Sequence, residues 1–170
     1  TVSADVILPR YRNLAAHEII EKAADDLVTI ADRESEAQLN EGLARLLPEA
    51  GLIGEEACAA DPALAAAAGQ GLNWIIDPID GTGNFAAGQP PFGVMVALAD
   101  GGEVLAGWIY DPLAGRLCFA TKARAPALTV SASLRAAAAT ACGWQASPPC
   151  SSMRRHATIL PAARATECIW

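Results

Sequence analysis

Basic side chains are few in this 170-residue chain, 12 Lys and Arg against 19 Asp and Glu. The formal charge of −7 and sequence pI of 4.7 exclude a nucleic-acid binder that works by neutralising phosphates. Large rings are scarce too: aromatic residues make up 5% of a chain that is 52% hydrophobic, because the apolar share is largely alanine. That suits one core rather than several. No run approaches the roughly 20 large apolar residues of a bilayer span. The N-terminus lacks a basic stretch followed by an apolar one and a cleavage site, so neither membrane insertion nor secretion is expected. The cysteines (Cys58, Cys118, Cys142, Cys150 and Cys168) are odd in number and include no Cys-x-x-Cys pair, which argues against a disulfide framework and against zinc. A reduced, cytoplasmic protein is the expectation. The chain opens on Thr1 and enters an apolar run almost at once, which suggests that a piece lies upstream.

Charge is unevenly placed. Residues 1–120 hold six basic and eighteen acidic side chains, whereas 121–170 hold six basic and only Glu167 acidic. The second part has a single glycine, Gly143, and an alanine run from Ala136 to Ala139, with no strand or turn pattern. Two segments are expected: a patterned domain over 1–120 and a divergent tail over 121–170. The tail reads as basic and disordered, as an Ala-rich helix, or as an out-of-frame translation; the last is favoured because the patterning stops abruptly rather than at a linker.

Within the patterned part, Ile7, Tyr11 and Leu14, with Ile19 and Ile20 beyond, predict a helix over 5–20 bent at Pro9. Leu39, Leu43, Leu46 and Leu47 make one apolar stripe, Thr29 and Asp32 resemble a capping box, and Pro48 with Gly51 stops the helix; it is placed at about 30–47. Leu52 and Ile53 form a short strand ending in Gly54-Glu55-Glu56. Leu72 to Ile76 form a buried strand ending in Asp77. Phe92 to Leu98 and Val104 to Tyr110 read as a hairpin around Gly101-Gly102, and Leu117 to Ala120 as one more strand. The fold class is α/β in the layered α+β sense, with helices packed on a largely antiparallel sheet.

The informative segment is Trp74-Ile75-Ile76-Asp77-Pro78-Ile79-Asp80-Gly81-Thr82-Gly83-Asn84-Phe85. An apolar strand delivers Asp77 at its end, Pro78 holds Asp77 extended, and the turn that follows lets Asp80 reach back. Such a pair beside Glu55 would repel itself unless a cation lay between the carboxylates. Oxygen donors without His or Cys suit Mg²⁺, Mn²⁺ or Ca²⁺. Gly81 and Thr82 open a short helix whose free N–H groups can take a phosphate. Cation and anion on one edge is the apparatus of phosphoester hydrolysis. Set against this, Glu55-Glu56 alone reads as a solvated turn, Asp32 alone as a helix-capping acid, and Lys22 as a solvated lysine; His17 and His156 receive no role. Gly81-Thr82-Gly83-Asn84-Phe85-Ala86 also matches a dinucleotide fingerprint, but Gly88, Pro90 and Pro91 leave no room for the long helix that motif requires.

These residues, with Asp26-Leu27-Val28-Thr29 leading to Asp32 and with Tyr110-Asp111-Pro112 downstream, resemble the inositol monophosphatase family of Mg²⁺-dependent, lithium-sensitive sugar phosphatases. The resemblance covers residues 1 to about 120. It implies that Glu55, Asp77, the carbonyl of Ile79 and Asp80 bind metal, with Asp32 near a further, weaker site. It also implies that Thr82 with Glu55 positions the attacking water and that Gly81 and Thr82 hold the substrate phosphate by their N–H groups. The implied cofactor is Mg²⁺, with Mn²⁺ as a substitute and Li⁺ as an inhibitor. The implied partner is a small phosphorylated sugar or cyclitol, with no nucleic acid and no membrane, and the family's frequent homodimer is carried over only weakly. The family also has a later Trp-Asp motif that supplies a metal ligand, but here no Asp follows Asp111. The expectation is therefore a truncated phosphatase with impaired activity, the alternative being a non-catalytic remnant that binds metal or a protein partner.

Overall fold

The chain is described here from a computed structural model, which covers residues 1–23 and 26–122. The expected tail over 121–170 lies outside the described residues except for Thr121 and Lys122.

A π-helical turn at Ser3–Ile7 runs directly into α1 (Leu8–Arg10), which carries Pro9 at its second position. There the helix stops, so the helix predicted over 5–20 is corrected. Tyr11 turns to extended geometry and Arg12 takes a φ of 62°. The reason is tertiary: the Tyr11 ring stacks 5.1 Å from Phe92 and 6.2 Å from Phe85, and its hydroxyl donates to the Gly88 carbonyl at 3.0 Å. Ile19 and Ile20, read as helical, instead open β1 (Ile19–Ala23), which pairs antiparallel with β2 (Asp26–Thr29). Their β-branched side chains suit the strand.

Thr29 ends β2 and caps α2 (Ile30–Leu46), one residue short of the predicted span. Its Oγ1 accepts from the Ala31 N–H at 3.1 Å, while Asp32 Oδ2 accepts from the Thr29 N–H at 2.8 Å and from its hydroxyl at 2.6 Å. This capping box is buried. Thr29→Ala should cost about 1–2 kcal/mol, read as a lower urea midpoint at unchanged m-value.

After α2 come β3 (Gly51–Gly54), α3 (Glu55–Ala60), α4 (Ala63–Ala67), β4 (Leu72–Asp80), α5 (Thr82–Ala86), β5 (Gly93–Asp100), β6 (Glu103–Asp111) and β7 (Arg116–Thr121). The sheet order is β3-β4-β5-β6-β7. β3 runs parallel to β4, since α3 and α4 supply the crossover, and the later pairs are antiparallel. Gly101 and Gly102, at φ of 57° and 80°, close the β5–β6 hairpin in the two-residue turn that needs positive φ twice. One sheet face buries Trp74, Ile76, Val96, Leu98 and Trp108 against Leu39 and Leu43 of α2 and Ile7. The alternate residues Ile75, Asp77, Met95 and Ile109 point the other way. This is the layered α/β arrangement expected, on a mainly antiparallel sheet. Among the described residues no helix is long and apolar enough to cross a membrane.

Candidate active site

Asp77 and Asp80 are three residues apart, a spacing that would set them on opposite faces of a regular strand. The register prevents that: Asp77 pairs with Met95 but Asp80 with Gly93, so β4 carries one extra residue between them. This bulge turns both carboxylates toward one cavity of about 860 Å³, also lined by Glu55, Gly81 and Thr82. Gly81 must be glycine. Its φ is 84°, and a Cβ there would stand 2.9 Å from the Pro91 carbonyl. From this left-handed residue α5 starts, and its first N–H groups have no partner within the helix.

Thr82 Oγ1 lies 2.9 Å from the Ile79 carbonyl and 3.1 Å from Asp32 Oδ1. Its one proton serves either acceptor. Asp32, fully buried, thus ties the first turn of α2 to the start of α5. Burial raises its pKa, opposed by the hydrogen bonds from Thr29.

Glu55 begins α3. Burial foremost, then the charge of Asp77, pushes its pKa up to about 8. Asp77 is pushed up to about 6 by burial and by Asp80, while a hydrogen bond with Glu55 works the other way. These carboxyls therefore share protons where a cation would otherwise balance them. Lys22, read from sequence as solvated, is instead drawn in: its Nζ donates to Glu56 Oε1 at 2.7 Å, with 19% and 12% of the two side chains exposed. The β1–β2 hairpin, which the sequence reading missed, is what carries Lys22 there.

Sequence reasoning also missed Glu36. It is buried, and its Oε2 and Oε1 accept from the Glu56 and Ala57 N–H groups at 2.7 and 3.0 Å. A signal existed: Glu36 falls on the same helical face as Leu39 and Leu43, an acid on an apolar stripe.

The donor set fits a hard divalent ion. Cavity-facing carboxylates come without imidazole, the one cysteine of the lining, Cys118, stands on β7 three strands away from Asp77, and Asp77 Oδ1 is buried with no hydrogen-bond partner. Among the described residues no three acidic, His or Cys side chains are already closed into a metal cage. Glu55, Asp77, Asp80, Gly81 and Thr82 are thus brought to one cavity. Asp32 reaches it through Thr82, and the Ile79 carbonyl lies behind the Thr82 hydroxyl.

Fold and site together define a layered α/β protein with an acid-lined cavity beside a short helix start. Residues 1–151 match the inositol monophosphatase family, and the chain belongs to it. Among its relatives, histidinol-phosphatase of Chlorobaculum parvum is 41% identical over 59% of this chain and 36% of its own. Inositol-1-monophosphatase of Caulobacter vibrioides is 35% identical over 71% and 46%. In the solved structure of extragenic suppressor protein suhB from Bartonella henselae, identity is 30% at a TM-score of 0.58, over 71% of this chain and 45% of that one. The chain spans less than half the length of these relatives. Relatives named as phosphatases make the family one of phosphoric ester hydrolases.

Proposed function

We propose that residues 1–120 are the metal- and phosphate-binding part of a Mg²⁺-dependent phosphatase acting on a small phosphorylated sugar or cyclitol. Residues 121–170 form a divergent tail in this reading. The observation that carries it is the convergence of Glu55, Asp77, Asp80 and Thr82 on one cavity, with a buried, unpartnered Asp77 oxygen among them.

Glu55, Asp77, Asp80 and the Ile79 carbonyl would hold the cation, with Asp32 behind them. When bound, Mg²⁺ neutralises these carboxylates, makes a water more acidic and stabilises the leaving oxygen. Thr82 donates its proton to Asp32, which leaves its lone pairs facing the cavity to accept from the attacking water. Glu55 orients that water from the other side. The Gly81 and Thr82 N–H groups take the substrate phosphate at the start of α5. The apolar wall of Ile75, Met95 and Ala97 limits water beyond the reacting atoms.

A second reading is a non-catalytic remnant that binds metal or a protein partner without turnover; in its favour, no Asp follows Asp111 within these 170 residues. Phosphate release from inositol monophosphates, measured with and without Mg²⁺, separates the two readings. Mg²⁺-dependent release supports the enzyme, and folded, metal-binding but silent protein supports the remnant. Absence of any Mg²⁺ or Mn²⁺ binding heat would overturn the enzyme and a metal-binding remnant alike.

A further inference from the structure

We infer that Glu36 is the positioning residue for Glu55, acting through the start of α3; this rests on the reading of Glu55 as a metal ligand. The six-residue α3 is too short to hold its own first turn. The residue that precedes it, Gly54, offers no side-chain cap, so the first N–H groups need an acceptor from elsewhere. Glu36, one turn beyond Asp32 on α2, supplies it with both oxygens, to Glu56 and Ala57.

The approach is possible only because residue 54 lacks a side chain. A Cβ on Gly54 would lie 2.2 Å from Glu36 Cδ and 2.4 and 2.5 Å from its oxygens. Glycine at 54 and glutamate at 36 are therefore one device. A carboxylate on the rigid α2 clamps the backbone that bears Glu55, and Lys22 pairs with the next side chain, Glu56. Asp32 and Glu36, on successive turns of one helix, thereby fix two sides of the site, one through Thr82 and the other through α3.

The test uses the full chain and MgCl₂ calorimetry, with amide exchange of the metal-free protein. Glu36→Ala should weaken Mg²⁺ binding about 10- to 100-fold, as loss of a supporting partner does, and should speed exchange of the Glu56 and Ala57 amides. Glu36→Gln keeps the shape and one acceptor but turns an NH₂ onto the other N–H, so it should weaken Mg²⁺ binding less than Glu36→Ala does and still speed exchange of Glu56 or Ala57. Leu39→Ala, on the same helix but away from the cavity, should lower the melting temperature and leave the affinity within about twofold. Wild-type affinity in folded Glu36→Ala would overturn the inference, as would an equal loss in Leu39→Ala. If Glu36→Ala fails to fold, Glu36→Gln decides: some weakening with exchange confined to Glu56 and Ala57 supports the clamp, and no change in either refutes it. Glu55→Gln separates the two layers. If it too binds normally, the ligand reading fails; if it alone weakens binding, only the clamp fails.

Discussion

Asp77→Asn is expected to lower Mg²⁺ affinity by more than about 100-fold, since even partners behind the ligands cost 10- to 100-fold. Asparagine keeps the shape and one carbonyl oxygen but removes the charge that a hard cation needs. The same change should stabilise the metal-free fold. Asp77 is raised to about 6 and Glu55 to about 8, so between about pH 4 and 8 the folded chain binds more protons than the unfolded one. Stability contributed by these groups is thus fully present at the acid end and falls as pH rises through 6 and 8. With Asp77 neutral, the repulsion on Glu55 is relieved and that slope flattens. Melting curves from pH 5 to 8 without metal check the sign: wild type should lose stability toward pH 8, and Asp77→Asn should lose less. Calorimetry with Mg²⁺ then runs the other way, with heat in wild type and none in the variant. Unchanged binding in the variant would remove Asp77 from the ligand set.

Much of this arrangement is legible in the sequence because it is local. The capping box at Thr29 and Asp32, the strand ending in Asp77, and the paired glycines of the β5–β6 hairpin are each set by neighbours a few residues apart. What escaped is non-local. Tyr11 leaves its helix for Phe85, Phe92 and Gly88, contacts no periodicity can register. That Asp80 reaches back to Asp77 was expected of a turn, but the bulge between them is defined only against β5. Lys22 and Glu36 became part of the site through partners far along the chain, Glu56 and Ala57, and only Glu36 carried a local sign, an acid lying on a leucine stripe. The resemblance implied roles for Glu55 and Thr82, but it did not imply the close approach of Glu36 to Gly54.

Trp74→Ala should cost about 3–5 kcal/mol, the range for deleting a fully buried large side chain. Trp74 sits on β4 three residues before Asp77, packs 5.9 Å from Trp108, and belongs to the core shared with Leu39 and Leu43. Its loss opens a cavity at the joint where α2 meets the sheet, and a domain of this size holds only about 5–15 kcal/mol in all. Trp74→Phe is the informative companion. The indole Nε1 is buried with no partner, so phenylalanine removes an unsatisfied donor along with some volume and should cost much less than alanine. Urea unfolding of the three proteins checks the order. Metal ties this prediction to the first: a ligand that binds only the folded chain adds about 2.7 kcal/mol at a hundred times its Kd. Saturating Mg²⁺ should therefore restore a large part of the stability lost in Trp74→Ala. The same Mg²⁺ should do nothing for Trp74→Ala combined with Asp77→Asn, because the fold would still be wounded while the cation no longer had a reason to prefer it.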